Sequence, residues 1–388
     1  MSVPASRFSF FYALYFALLG CISPFWGLYL QSLEFSAADI GTLMAMFGVV
    51  RILAPNLWAA QAGRFRGPAQ MIRIAGALTV LFFCLIFVAR DFVTVAIVMI
   101  AYGFFWAAML PQYEVLCMQS LQNQLDLYSR VRLWGSLGFI MSVIVVGMLL
   151  DVATVSVLPV VMLVLMLLIT ANAWGIKESP RVEDGHEDGV PFLRLLASRA
   201  VIGFILVNIL LQISFGPYYT FFSIFLEENG YSPALTGVIW SAGVIAEVLL
   251  FWQFGRIMHL LSWRNWIVLS MALTALRWSL TGVATASVTG LLILQTLHAF
   301  SFAVMHAVSM RYVQTLFPKA MHGRGQALYS SVGFGLGGAI GAWGSGLLWM
   351  SLGGTLVFTL AGIAALLAVP VALFTLNGRQ TTERDVGR

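Results

Sequence analysis

The chain is a succession of long apolar runs broken by short polar interruptions. Twelve runs reach the length of about 20 predominantly apolar residues that a membrane-spanning helix needs. They lie at 8–32, 37–61, 69–89, 92–118, 130–150, 154–176, 198–226, 233–258, 265–285, 288–315, 325–350 and 354–376. None alternates with a period of two, and lipid does not tolerate open sheet edges. The pattern therefore predicts an all-α membrane protein with twelve transmembrane helices. Leu18-Leu19-Gly20-Cys21 looks like a lipoprotein cleavage box. The apolar run continues past it through Pro24, Phe25, Trp26 and Leu30, so an uncleaved first helix is expected.

The interruptions carry a charge bias. With the N-terminus placed in the cytoplasm, cytoplasmic segments hold Arg7, Arg64, Arg66, Arg73, Arg130, Arg132, Lys177, Arg181, Arg194, Arg199, Arg256, Arg264, Lys319, Arg324, Arg379, Arg384 and Arg388. The opposite side holds Arg90, while Arg51, Arg277 and Arg311 lie inside apolar runs. The positive-inside rule then predicts that both termini are cytoplasmic. The longest polar stretch, 177–197, contains Glu183-Asp184-Gly185-His186-Glu187-Asp188-Gly189 and divides the chain near its middle. It reads as a flexible, solvated linker between an N-terminal six-helix bundle (1–176) and a C-terminal one (198–376), followed by a cytoplasmic tail (377–388).

The halves repeat weakly. A shift of 196 residues brings Gly20 onto Gly216, Phe25 onto Phe221, Leu30 onto Leu226, Gly41 onto Gly237, Phe104 onto Phe300 and Met109 onto Met305. A shift of 195 brings Ser136-Leu137-Gly138-Phe139 onto Ser331-Val332-Gly333-Phe334. The matches fall in chain order, which predicts two parallel repeats related by an axis along the membrane normal.

Composition narrows the class. Hydrophobic residues make up 60%, charged residues 10%, and the mean hydropathy is +0.91. Soluble domains carry about 25% charged residues, so a soluble enzyme, a disordered chain and a disulfide-stapled secreted domain are excluded. The three cysteines, Cys21, Cys84 and Cys117, sit in apolar runs without metal or disulfide spacing. The formal charge of +5 is topological rather than a nucleic-acid footprint. No His-x-x-x-His, His-Glu-x-x-His or Gly-x-Ser-x-Gly constellation lies within a helix, and there is no phosphate-binding Gly-x-x-x-x-Gly-Lys-Ser/Thr loop. Neither an enzyme nor a cofactor or metal is expected. Glycines 333, 335, 337, 338, 341, 344 and 346 crowd the eleventh run, where close helix packing is expected.

An ionisable side chain inside a spanning helix is costly and is retained for pairing or function. The candidates are Arg51, Glu114, Glu247, Arg277, His298 and His306. The repeat sets Arg51 opposite Glu247, so the two either pair across a cavity or are neutralised each within its own half. Glu247, Arg277 and the two histidines lie in consecutive helices and are expected to converge as a proton-coupling network or a static one. His298 and His306 are eight residues apart, about 12 Å along one helix face. Glu114 and Arg132 are read as a buried pair across the loop between the fourth and fifth helices, with Tyr128 to Arg130 as polar loop. Phe215, Tyr218, Tyr219 and Phe222 either line a cavity or pack in the membrane. Pro24, Pro55, Pro111 and Pro217 are expected to kink helices beside the cavity.

Val131-Arg132-Leu133-Trp134-Gly135-Ser136, Trp240 to Val248, Arg277-Trp278 and Gln295-Thr296-Leu297-His298 through His306 to Arg311-Tyr312 resemble motifs of the major facilitator superfamily. The similarity is to the branch containing the lactose/proton symporter, closer still to the phenylpropionate permease group and its nucleoside-symporter relatives. The resemblance covers essentially the whole chain. It implies two pseudo-symmetric six-helix bundles with the substrate site between them, and alternating access. It implies that Glu114 and Arg132 hold substrate, with Phe139 where the lactose symporter has a stacking tryptophan. It further implies that Glu247, Arg277 and His298 serve the proton, while Ser301 stands where a second glutamate is usual. The loop Gly63-Arg64-Phe65-Arg66-Gly67 lacks the family's usual aspartate. The expected function is import of an aromatic carboxylate by proton symport across a bacterial inner membrane, by a monomer embedded in the lipid bilayer. A sugar or nucleoside symporter, an exporter, and a transporter-like sensor are the alternatives.

Overall fold

A computed structural model of the chain describes residues 5–121, 124–176 and 195–377. Almost all of the linker expected at 177–197, its acidic run included, and all but the first residue of the tail expected at 377–388 lie outside the described residues. The described residues contain helices and no strand. In chain order the helices are α1 (Ala5–Ser32), α2 (Ala37–Ala60), α3 (Pro68–Phe83, extended by a 3-10 turn at Cys84–Phe87), α4 (Phe92–Ser120), α5 (Leu125–Val152) and α6 (Leu158–Trp174). They continue as α7 (Arg199–Glu228), α8 (Pro233–Ile257), α9 (Trp263–Ala284) and α10 (Val288–Leu316). The last apolar stretch, His322–Thr375, is 54 residues long. It turns at Gly353, whose φ of 75° is open to glycine at little cost, and so divides into α11 (322–352) and α12 (354–375). Twelve helices result.

Local chemistry fixes the helix ends. Ser36 and Asp39 form a reciprocal capping box at the start of α2. The Asp91 carboxylate accepts from Val93 N and Thr94 N at 3.1 Å each to start α4. The C-terminal carbonyls of α6 accept from two arginines: Arg73 donates to Ala173 O and Ile176 O, and Arg7 to Gly175 O. Guanidinium charge at a helix C-terminus also opposes the negative end of the helix dipole. Pro24, Pro55, Pro111 and Pro217 lie inside α1, α2, α4 and α7. The fifth helix starts earlier than its apolar run suggests. Tyr128 to Arg130 are helical rather than loop, because polar residues continue the helix beyond its hydrophobic part.

Two compact units follow from the contacts, and they do not coincide with the sequence halves. One comprises α1–α6 together with Tyr219–Ser241 and Ala342–Met350. The other comprises residues 195–218, Ala242–Gly341 and the described residues from Ser351. Helices α7, α8 and α11 therefore each belong to both.

Glycines make the crossings. In the first unit a Cβ on Gly41 (α2) would stand 2.6 Å from Ala342 O and 2.8 Å from Gly346 Cα (α11). Its repeat partner Gly237 (α8) would meet Val143 O (α5) at 2.6 Å, and Gly147 (α5) would meet Pro233 O at 2.6 Å. Gly27 (α1) would meet Thr220 O (α7) at 2.6 Å. The Asp151 carboxylate accepts from Ala234 N at 3.0 Å, joining the end of α5 to the start of α8. The pattern repeats deeper in each unit. A Cβ on Gly20 (α1) would stand 2.9 Å from Phe139 O of α5, while one on its repeat partner Gly216 (α7) would collide with the Gly341 backbone of α11 in the second unit. Equivalent glycines thus serve equivalent crossings.

Such contacts leave no room for a side chain. In a cysteine-free background, a single cysteine at Thr220, which is buried, is expected to resist maleimide labelling. Replacing Gly41 with Val drives α2 from α11 and is expected to raise the labelling rate several-fold. An unchanged rate would show that the α2–α11 crossing does not hold this end of the first unit closed.

Candidate functional site

The second unit gathers Glu247 (α8), Arg277 (α9) and His298 (α10). Gly243, one turn before Glu247, makes the approach possible: a Cβ there would stand 3.2 Å from Gln295 Oε1 and 3.3 Å from His298 Cβ. Arg277 is 1% exposed. Its Nη2 donates to Gln295 Oε1 at 2.8 Å and its Nη1 lies 3.1 Å from His298 Nδ1. The guanidinium lies over the adjoining rings of Trp278, 4.1 Å from the centroid, and Tyr218, 4.6 Å away. The Tyr218 hydroxyl donates to the same Gln295 oxygen at 3.2 Å, and Trp278 is fixed by donating to Ser214 Oγ at 3.1 Å. His298 Nε2 faces Glu247 Oε2 at 3.5 Å.

These distances assign the imidazole. Arginine only donates, so Nδ1 of His298 accepts, and its single proton sits on Nε2, the nitrogen on the Glu247 side. The result is a relay from Glu247 through neutral His298 to Arg277, with Gln295 and Tyr218 behind it. Ser301 is buried: its Oγ lies 3.2 Å from Leu297 O and accepts from Thr274 Oγ1 at 2.8 Å.

His306 is not part of this relay. Its Nδ1 lies 3.2 Å from the Tyr329 hydroxyl. Nearby, Ser309 donates to Asn208 Oδ1 at 3.2 Å. A π-helical segment, Phe300–Val304, lies between the two histidines. Phe302 within it stacks on both, with centroids at 5.7 Å from His298 and 6.4 Å from His306. The histidines share a face, as their spacing suggests, but an aromatic ring separates their hydrogen bonds.

The first unit holds the other candidates. Glu114 (α4) and Arg132 (α5) make no direct ion pair among the described residues. Glu114 has Tyr128 and the Arg132 charge as electrostatic neighbours. The Arg132 guanidinium lies 4.0 Å over Phe16 and 5.6 Å over Tyr12. Gly135, one turn later, leaves room for both Arg132 and Phe16. The Arg51 guanidinium (α2) lies 5.3 Å over Trp106 and 5.9 Å over Phe47. Each is accommodated by groups of its own unit. Phe139 is buried, with its carbonyl at the Gly20 crossing. Tyr218 and Tyr219 separate. The first supports Arg277, whereas the second lies 6.1 Å from Trp240 in the other unit.

Charge counting gives no role to Gln295, Tyr128 or Tyr329. Gln295 carries the same signal as the charged residues, a polar side chain inside an apolar run and three positions before His298. The tyrosines carry none, since aromatic residues are ordinary membrane packing.

The comparisons agree with this architecture. The chain is 29% identical over 362 residues to the "Probable 3-phenylpropionic acid transporter" of Escherichia coli (strain K12), covering 91% of this chain and 93% of that protein. It is 28% identical over 343 residues to the maltose permease of Geobacillus stearothermophilus, covering 85% and 84%. The crystal structure of a mutant of the nucleoside transporter NupG superposes with a TM-score of 0.85 at 16% identity, covering 96% of this chain and all of that one. The model of the MFS_1-like family matches residues 5–360. With its twelve helices and these likenesses, the chain belongs to the MFS_1-like family and is a multi-pass membrane transporter, not an enzyme.

Proposed function

We propose that the protein imports a small aromatic carboxylate together with a proton across a bacterial inner membrane. Both termini are cytoplasmic, and the six-helix halves 1–176 and 198–376 of a monomer rock to alternate access. The observation that carries the proton is the Glu247–His298–Arg277 relay. Glu247 is the one acidic residue between Glu228 and Glu383. With Glu247 ionised, its charge offsets that of Arg277. Protonation leaves a net positive charge in a medium of low dielectric, where charge acts strongly on an approaching anion. Uptake of a proton and of a carboxylate then favour each other. The name of the Escherichia coli relative supports the substrate class, and Arg132 supplies a further cation. Glu114 with Tyr128 and Phe16 is also a carboxylate-plus-aromatic arrangement suited to a sugar or nucleoside. The names of the maltose and nucleoside relatives make that the second reading.

Purified protein in proteoliposomes is expected to accumulate 3-phenylpropionate when the inside is made alkaline. Glu247→Gln is expected to abolish this accumulation and leave counterflow exchange. Accumulation that survived the substitution unchanged would reject Glu247 as the proton carrier. Flux also separates a transporter from a sensor. A thermal-shift screen in which maltose or a nucleoside stabilises the protein and no carboxylate does would reject the substrate class.

Orientation has its own test. Alkaline phosphatase fused after Gly230, between α7 and α8, is expected to be active, and after Leu261, between α8 and α9, inactive. The reverse pattern would invert the topology.

A further inference from the structure

The geometry points to Arg51, Tyr102 and Trp106 as the anchor for the carboxylate of the transported solute. This rests on the proposed substrate class and names the groups that recognise it.

Buried polar atoms in membrane proteins normally find partners, because the alternative is desolvation without compensation. The side chains of the proton relay follow the rule: Arg277, Gln295, His298, Tyr218 and Trp278 all have partners. Eight buried side-chain polar atoms have no such partner among the described residues, and two of them stand together in an aromatic cluster of the first unit. The Trp106 indole N–H and the Tyr102 hydroxyl are buried without a hydrogen-bond partner among the described residues. Trp106 is 1% exposed and Tyr102 is fully buried. They stand one turn apart on α4, on the same face. Phe47 of α2 lies across that face at Gly103, its ring centroid 5.4 Å from Tyr102 and 6.1 Å from Trp106.

Arg51 lies one turn beyond Phe47 on α2. It has no hydrogen bond or ion pair among the described residues, and its side chain is exposed. Its guanidinium lies over the Trp106 and Phe47 rings and is an electrostatic neighbour of the Tyr102 hydroxyl. The other two candidate cations differ. Arg277 shares its relay with Glu247, and Arg132 shares its field with Glu114. Arg51 is a spanning-segment cation with neither a hydrogen bond nor an ion pair among the described residues.

The chemistry of the three groups selects the ligand. Arginine and the indole nitrogen can only donate, and a tyrosine hydroxyl can donate. Three converging donors, one of them charged, call for a group that only accepts and bears negative charge. A carboxylate fits, with bidentate geometry available at Arg51. The face of Phe47 offers an aromatic body a stacking surface. Turning of Phe47 from its place over Gly103 uncovers the two donors on α4.

The test uses the full-length protein in detergent and measures binding of 3-phenylpropionate and of its uncharged amide. Arg51→Gln is expected to weaken the acid more than tenfold and the amide less than threefold. Trp106→Phe and Tyr102→Phe keep the rings and remove one donor each. Each is expected to weaken the acid three- to tenfold. Their ligand-free melting temperature should not fall, since no existing hydrogen bond is broken. Unchanged affinity for the acid in all three variants would overturn the site and leave the donors to ordered water alone. Equal losses for acid and amide in Arg51→Gln would overturn the carboxylate assignment. If the unaltered protein bound no carboxylate, the proposed substrate class would fail and this anchor with it. The unaltered protein thus separates the two failures.

Discussion

The cost of an ionisable side chain in hydrocarbon is the constraint on which the rest of the structure turns. Insertion scales put it at about 2.5–3.5 kcal/mol for a charge at a helix centre, so few such groups are kept, and each is accommodated differently. Arg7 and Arg73 settle on the spare carbonyls that end α6. Arg277 lies over two aromatic rings and against two neutral acceptors. Arg132 rests on Phe16 and reaches Glu114 only through its field. Glu247 has a single ionic partner among the described residues, an imidazole. A neutral histidine between an arginine and a glutamate keeps the two charges apart while transmitting hydrogen bonds, which makes the state of the glutamate matter at the arginine.

Between helices, lipid supplies no hydrophobic drive, and association depends on close van der Waals packing. That explains why glycine occupies so many crossings here. The pairs Gly20 with Gly216 and Gly41 with Gly237 are related by the repeat and meet equivalent helices, α5 or α11. Sequence divergence between the halves has erased most side-chain matches, but a side chain at these positions collides with backbone, so the glycines survive. The same helices change unit near such residues. Helix α7 passes from one unit to the other after Tyr218, beside Gly216-Pro217. Helix α8 does so after Ser241, beside Gly243, and α11 after Gly341. Small residues and a proline are where a helix can bend with least steric opposition.

What could be read from the sequence follows from the same physics. Twelve spans and six candidate charges were visible because hydropathy and the penalty for charge act residue by residue. Convergence of Glu247, Arg277 and His298 was legible because they sit in consecutive helices of one half. The hydrogen bonding of His306 was not, since hydropathy does not tell that the Phe302 ring stacks on both histidines or that Tyr329 meets His306. Nor was the start of α5, where Tyr128 to Arg130 look like a loop in sequence and are helical. Tyr218 and Tyr219 are neighbours in sequence and point to different units. Tyr102 and Trp106 are silent in sequence because an aromatic ring reads as apolar, whatever its polar atom touches.

The cluster around Arg277 holds one carboxylate among the described residues, Glu247. Where the lactose-symporter pattern has a second acid three residues after the histidine, Ser301 is buried and hydrogen-bonded to Thr274 and Leu297. It offers no charge. His298 is a poor alternative site for the proton, because a proton on Nδ1 would face the Arg277 donor at 3.1 Å. Protonating the imidazole would mean breaking that contact and setting two cations side by side. Arg277 therefore holds His298 as a neutral acceptor, and it is the far nitrogen of that imidazole that Glu247 meets.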